Sequence, residues 1–404
     1  GSNNINLLEP NGQFGTRLHG GDDSASERYI FTMLNPLGRA IFPEHDDAIL
    51  NYLDDDGTIV EPEYYVPIIP FALINGISGI GTGFSCNIPA FHPTDCVEYL
   101  KAKLTKKTFD KEFVPYYEGF KGNVRKIEDN KFLVKGCYEV INDNSIRITE
   151  LPVGTWTMPY TTFLESLMDG VDKNGKKSAP LIRDFTSLST EVHVDFTITF
   201  PRGKMMELMS EGDEFVNGLE KALKLSTTIS TSNIHMFDGQ RRLHKYRTVE
   251  EIIDGYMEIR YSMYEKRKAH MIDNLTRRLQ KLSNKAKYIQ QTLSGEVDLR
   301  KKSAIQVEEL MTKYEFDKID GDFKYLIKMP MDSVTEENVA HIMKERDDAT
   351  KELEVLTKTT INKMWLCDLA VFEKQYSVYQ TKRQQIQSGA VKAIKPIKKK
   401  AAKK

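Results

Sequence analysis

Residues 12–32 read GQFGTRLHGGDDSASERYIFT. Glycines at 12, 15, 20 and 21 allow a tight loop whose backbone amides approach a phosphate closely. Ser24-Ala-Ser-Glu27 has the form of a capping box and predicts a helix starting near Ser24. Arg28 and Tyr29 then fall in its early turns, near the positive end of the helix dipole. A phenol holds its proton to about pH 10, so an attacking tyrosine needs a neighbour that favours the phenolate. A guanidinium does this and also grips a phosphate through two N–H groups. An arginine beside a tyrosine, at a helix start and next to a phosphate loop, is what phosphodiester chemistry wants. Alone the arrangement is weak: the chain holds 18 tyrosines, and one in a first helical turn is ordinarily core or surface.

Outward from this loop, residues 1–95 mix short apolar runs with turn signals at Asn11-Gly12, Gly20-Gly21 and Asp56-Gly57, as a compact α+β unit does. Residues 96–245 form a second α+β region. Segments 145–151 and 192–200 alternate polar and apolar residues like half-buried strands, and helices are predicted at 160–169 and 213–225. From 246 to 384 the period becomes helical. Ile252, Tyr256, Ile259 and Met263, then Leu275, Leu279, Leu282, Ala286, Ile289 and Leu293, mark a coiled-coil seam that bends or stutters between Met263 and Leu275. A second seam runs through Val339, Ile342, Arg346, Ala349, Leu353 and Leu356, behind a capping box at Ser333–Glu336. Roughly forty residues separate the two, which predicts an antiparallel pair with a small helical knob at its tip.

Composition narrows the class without naming it. A chain of 404 residues, 40% hydrophobic, buries a real core and divides into two or three domains. Its net charge of -1 does not announce a nucleic-acid binder. The basic charge gathers in a tail, residues 385–404, where seven of the last thirteen residues are lysine. Such a tail is ordinarily a solvated arm, and it adds nonspecific attraction to phosphate. Four separated cysteines with no CxxC pair argue against a disulfide framework or a zinc site and fit a reducing compartment. The eight histidines form no HExxH, and no apolar run is long enough to span a membrane. The first residues lack an initiator Met and read like the middle of a domain, so a fragment is expected. Gly170–Lys177 nearly spells a P-loop, but Lys177 replaces its Ser/Thr; a basic loop is expected there.

The stretch 12–31 resembles the active-tyrosine segment of type IIA topoisomerases in their eukaryotic and giant-virus form. The likeness continues in order through VEPEYYVPIIP at 60–70, LINGISGIGTGFS at 73–85, ITELPVGTW at 148–156 and MWLCDLAVF at 364–372. It covers nearly the whole chain except the lysine tail. The fold it implies is a portion of a winged helix, an α/β tower, and a long antiparallel coiled coil ending in a helical dimerisation gate.

The resemblance implies that Tyr29 attacks the DNA backbone and becomes linked to the 5′ end of the break, while Arg28 binds the scissile phosphate. Ile80, in Gly79-Ile80-Gly81, matches an isoleucine pushed between base pairs; read from the residues alone, it caps a core beneath its loop. Arg17, His19 and Ser24 match positions near DNA, each open to the alternative of satisfying a turn. Lys121 is a candidate tower contact or an ordinary surface lysine. Two departures stand out: Asp22 replaces a usual lysine, and Gly154 replaces the usual arginine of the Leu-Pro block. Mg²⁺ and ATP are implied as cofactors held by TOPRIM and ATPase regions outside this chain; no metal site is expected within it. The partners implied are double-stranded DNA and a second copy of the chain, in the nucleus, or in a virion or viral factory for a large-DNA-virus source. Two other readings remain at this point: a noncatalytic DNA-binding and dimerisation scaffold, and a split subunit that needs a TOPRIM partner chain.

Overall fold

The computed structural model describes residues 3–10, 12–170, 179–300, 302–319, 321–330 and 335–388. The P-loop lookalike at 171–178, Ser333 and the lysine tail from 389 onward lie outside them. In chain order, the first part holds α1 (Leu37–Ile41), β1 (Tyr52–Asp55), β2 (Thr58–Pro62), α2 (Phe71–Asn75), β3 (Ile77–Gly81), β4 (Phe84–Ile88) and α3 (Pro93–Thr105). Next come β5 (Asn123–Glu128), β6 (Lys131–Lys135), β7 (Cys137–Asn142), β8 (Ser145–Glu150) and α4 (Thr157–Asp169). They are followed by β9 (Asp184–Ser187), β10 (Phe196–Thr199), α5 (Lys204–Ser210), α6 (Gly218–Ala222), β11 (Ser226–Ser230), β12 (His235–Phe237) and β13 (Leu243–Lys245). The remainder is helical: α7 (Val249–Leu293), α8 (Ala304–Lys313), α9 (Lys324–Ile327), α10 (Glu336–Lys358) and α11 (Ile361–Gln387). The class is mixed α and β. The described residues form two compact units, one from 1–44, 66–260 and 366–388, the other from 45–65 and 261–365.

In the first unit, the alternation read from the sequence becomes a four-stranded antiparallel sheet of order β7-β8-β10-β9. Ile146 and Ile148 of β8 and Phe196 and Ile198 of β10 face a core shared with Tyr160 and Leu164 of α4. The period of two puts Glu150 on that same inward face, where it is only 1% exposed. The helix expected at 213–225 is shorter. Asp213 accepts from the amides of Phe215 and Val216 in a turn, and Asn217 then caps α6 with Glu220 completing the box.

In the second unit, α7 and α10 run antiparallel. Lys268 Nζ donates to the carbonyls of Thr357 and Thr359, while Leu282, Ala286 and Ile289 share a core with Ile342 and Ala349. The residues named for the second seam are the buried or half-buried ones. Helix α7 continues without interruption past the expected break. Its buried face passes through Arg267, which pairs with Asp46 at 3.7 Å, so a charged side chain fills the gap between Met263 and Leu275 that an apolar pattern leaves. Thr335 caps α10, accepting from the Asn338 amide. Helix α11 is a third long helix, with Trp365, Leu369, Phe372 and Tyr376 buried along one face.

Candidate active site and nucleic-acid interface

The glycine loop is closed by its own side chains. Asp23 accepts from the Thr16 amide at 2.8 Å and the Thr16 hydroxyl at 2.6 Å, and these bonds hold its carboxyl below the usual 3.8. The Gly21 amide donates to Thr16 O at 3.2 Å, so residues 16–23 form one compact turn. Gly15, Gly20 and Gly21 all have φ between +69° and +98°. Gly20 is the tightest: a Cβ there would lie 2.3 Å from Trp156 Nε1.

The helix expected from Ser24 does not form. The Ser24 amide already donates to Gly21 O, and the Ala25 amide to Gln13 O. The loop thus occupies the donors that a capping box would satisfy, and Ser24 caps nothing. What remains is a single 3₁₀ turn, Glu27–Tyr29, after which Ile30 is extended at φ -97°, ψ 123°. The dipole contribution expected of a full helix is therefore absent here. The turn still presents its side chains outward. Tyr29 is 66% exposed, and the Arg28 guanidinium carbon lies 4.7 Å from its ring centroid.

Arg17 and Lys121 meet at Glu150. Both guanidinium NH groups of Arg17 reach the Glu150 carboxylate, one of them at 3.4 Å. The Lys121 amide donates to the same carboxylate at 3.2 Å. The Lys121 side chain and His19 are exposed. Sequence reasoning assigns Glu150 no role, although alternation with Ile146 and Ile148 turns it inward. A carboxylate buried there requires a cation. Ile80 stands on a separate hairpin, β3–β4, opposite Ser85 in register and 94% exposed, so it caps no core.

A family model that describes the A-type chain of DNA gyrase/topoisomerase IV matches residues 1–370. The chain belongs to this family, the type II DNA topoisomerases. It is 37% identical to DNA topoisomerase 2 of Arabidopsis thaliana, across 99% of this chain and 29% of that protein. To DNA topoisomerase 2-alpha of Gallus gallus it is also 37% identical, across 100% of this chain and 27% of the relative. A solved structure of the Plasmodium falciparum topoisomerase II DNA-binding, cleavage and re-ligation domain matches with TM-score 0.84 and 33% identity, over 97% of this chain and 55% of that one. The topoisomerase chain thus spans under a third of the length of these curated relatives. Its Gly154 has φ +84° and nothing within 4 Å of a Cβ position, a left-handed turn residue open to solvent. Among the described residues, no group of three His, Cys, Asp or Glu side chains converges to hold a metal, and no helix is long and apolar enough to cross a membrane.

Proposed function

We propose that this chain is the tyrosine-bearing part of a type II topoisomerase DNA cleavage and religation core. The observation that carries the reading is the solvent-facing Arg28–Tyr29 pair, set on a one-turn 3₁₀ helix directly after a self-closed glycine loop. The Tyr29 phenolate oxygen attacks a backbone phosphorus, the 3′ oxygen leaves and takes a proton, and the 5′ phosphate stays on Tyr29. Arg28 holds the phosphate oxygens as charge builds on them. Attack by the 3′ hydroxyl reverses both changes, so religation needs no external energy source. Arg17, His19, Ser24 and Lys121 line the path of the duplex backbone, and Ile80 wedges between bases and bends the duplex.

Residues 1–95 then act as the winged-helix portion, 96–245 as the tower and 246–384 as the coiled coil and gate, with 385–404 a basic tail. Two copies meet at that gate around a second duplex, whose passage is driven by ATP. Mg²⁺ and ATP are bound by TOPRIM and ATPase regions outside these residues, in the same protein or a partner chain, and the setting is the nucleus or a viral factory. A pure scaffold explains the helices and the tail but gives the exposed Arg28–Tyr29 pair no task. The test is relaxation of supercoiled plasmid by the full-length protein with Mg²⁺ and ATP. Tyr29→Phe should bind DNA as tightly as the parent and relax none of it; relaxation by that variant would remove the proposal.

A further inference from the structure

The hairpin that carries Ile80 is thin for its task. β3 and β4 are five-residue strands paired only with each other, and glycines stand at 79, 81 and 83. Two-stranded hairpins are marginal alone, and a wedge that unstacks bases must resist being pushed back. Its stiffness has to come from outside the hairpin.

One short segment supplies it from two sides. Asn233 accepts from the Asn87 amide through its main-chain oxygen at 2.8 Å, and its Nδ2 donates to Ser85 Oγ at 2.8 Å. Ser85 is the residue directly opposite Ile80. The remaining side-chain atom of Asn233, Oδ1, meets His235 Nδ1 at 3.0 Å, which fixes the amide's orientation. At the tip, Phe237 meets Phe84 edge to face, with centroids 5.8 Å apart and planes at 88°. Phe84 in turn lies against Gly81, where a Cβ would come within 2.6 Å of its ring. Ile80 therefore has a braced residue across from it and a braced residue beside it. Both lead to Asn233–Phe237, and Phe237 is itself mostly exposed, so its ring is spent on Phe84 rather than on a core.

We infer that Asn233 and Phe237 are positioning residues that fix the height and tilt of the Ile80 wedge, and through it the bend imposed on DNA. This inference rests on the reading of Ile80 as a wedge. Neither residue needs to touch the reacting atoms.

The experiment uses the full-length protein, Mg²⁺ and a duplex labelled at both ends, with bending read by energy transfer and cleavage read on the same DNA. Ile80→Ala is the reference. Phe237→Ala should lower the bent population and the cleavage of intact duplex about fivefold to tenfold, the loss of one aromatic pair. A duplex with a mismatch at the wedge step opens more easily, and on it Phe237→Ala should cleave within about twofold of the parent. Phe237→Tyr should behave as the parent on both. Asn233→Ala and Ser85→Ala should give the same loss singly and together, because they remove one bond. Bending by Phe237→Ala at the parent level, or equal loss of cleavage on both duplexes, would overturn the brace. Bending by Ile80→Ala at the parent level would instead remove the wedge reading beneath it.

Discussion

Glu150 binds Arg17 through both carboxylate oxygens while lying almost wholly inside the protein, and it gives a further acceptor to the Lys121 amide. The strand that brings Glu150 inward thereby anchors the glycine loop that precedes the tyrosine. Removing the carboxylate leaves Arg17 part-buried without its counter-charge, a loss of about 2 kcal/mol at this partly solvated position. Glu150→Ala should therefore raise hydrogen exchange of the Arg17, Gly21 and Ser24 amides by roughly 30-fold, with Glu150→Gln in between. Unchanged exchange would mean that the loop closes without Glu150.

Asp23 gives the same loop a pH dependence. Its carboxyl is held below 3.8 by the two bonds from Thr16. A carboxyl depressed on folding contributes fully above its unfolded value and loses that contribution as pH falls through the lower, folded value. The loop should thus stay closed at pH 4 and open only on further acidification. The Thr16 amide shift followed against pH should inflect below 3.8, and Asp23→Asn should abolish the inflection.

Arg28 separates binding from chemistry. Arg28→Ala should cut covalent adduct formation by about 10²–10³ while weakening DNA binding by no more than one phosphate contact. Arg28→Lys should recover only part, since an ammonium lacks the planar fork. Adduct rates and equilibrium binding measured at one salt concentration decide it.

Gly154→Arg restores the cation usual in the family at this turn. With φ +84° and open space around the Cβ position, the change should cost about 1 kcal/mol of local strain and produce no clash. If the turn faces the duplex, the salt dependence of DNA binding should steepen by roughly one phosphate. An unchanged slope would place position 154 away from DNA.

The legible parts of the fold are those governed by a single period. Alternation at 145–151 and 192–200 foretold β8 and β10, and the spacing from Val339 to Leu356 named the buried face of α10. Local pattern misled where tertiary bonds compete for the same donors. Ser24–Glu27 has a capping-box sequence, yet Gly21 and Gln13 take the Ser24 and Ala25 amides first. Arg267 hid part of the α7 face because a buried cation reads as polar. At the site, Arg28 and Tyr29 were legible from the sequence pattern and the family blocks. Glu150 was written in its alternation with Ile146 and Ile148. Asn233 and Phe237 were not legible, because their partners lie about 150 residues away on another hairpin.

Trapping of the covalent intermediate tests the central claim most directly. The full-length protein would be mixed with Mg²⁺ and end-labelled duplex, quenched with detergent, digested, and the DNA-linked peptide sequenced. The account predicts a 5′-phosphotyrosyl link on the peptide containing Tyr29, and no adduct with Tyr29→Phe. A link on another residue, or an adduct that survives Tyr29→Phe, would contradict it.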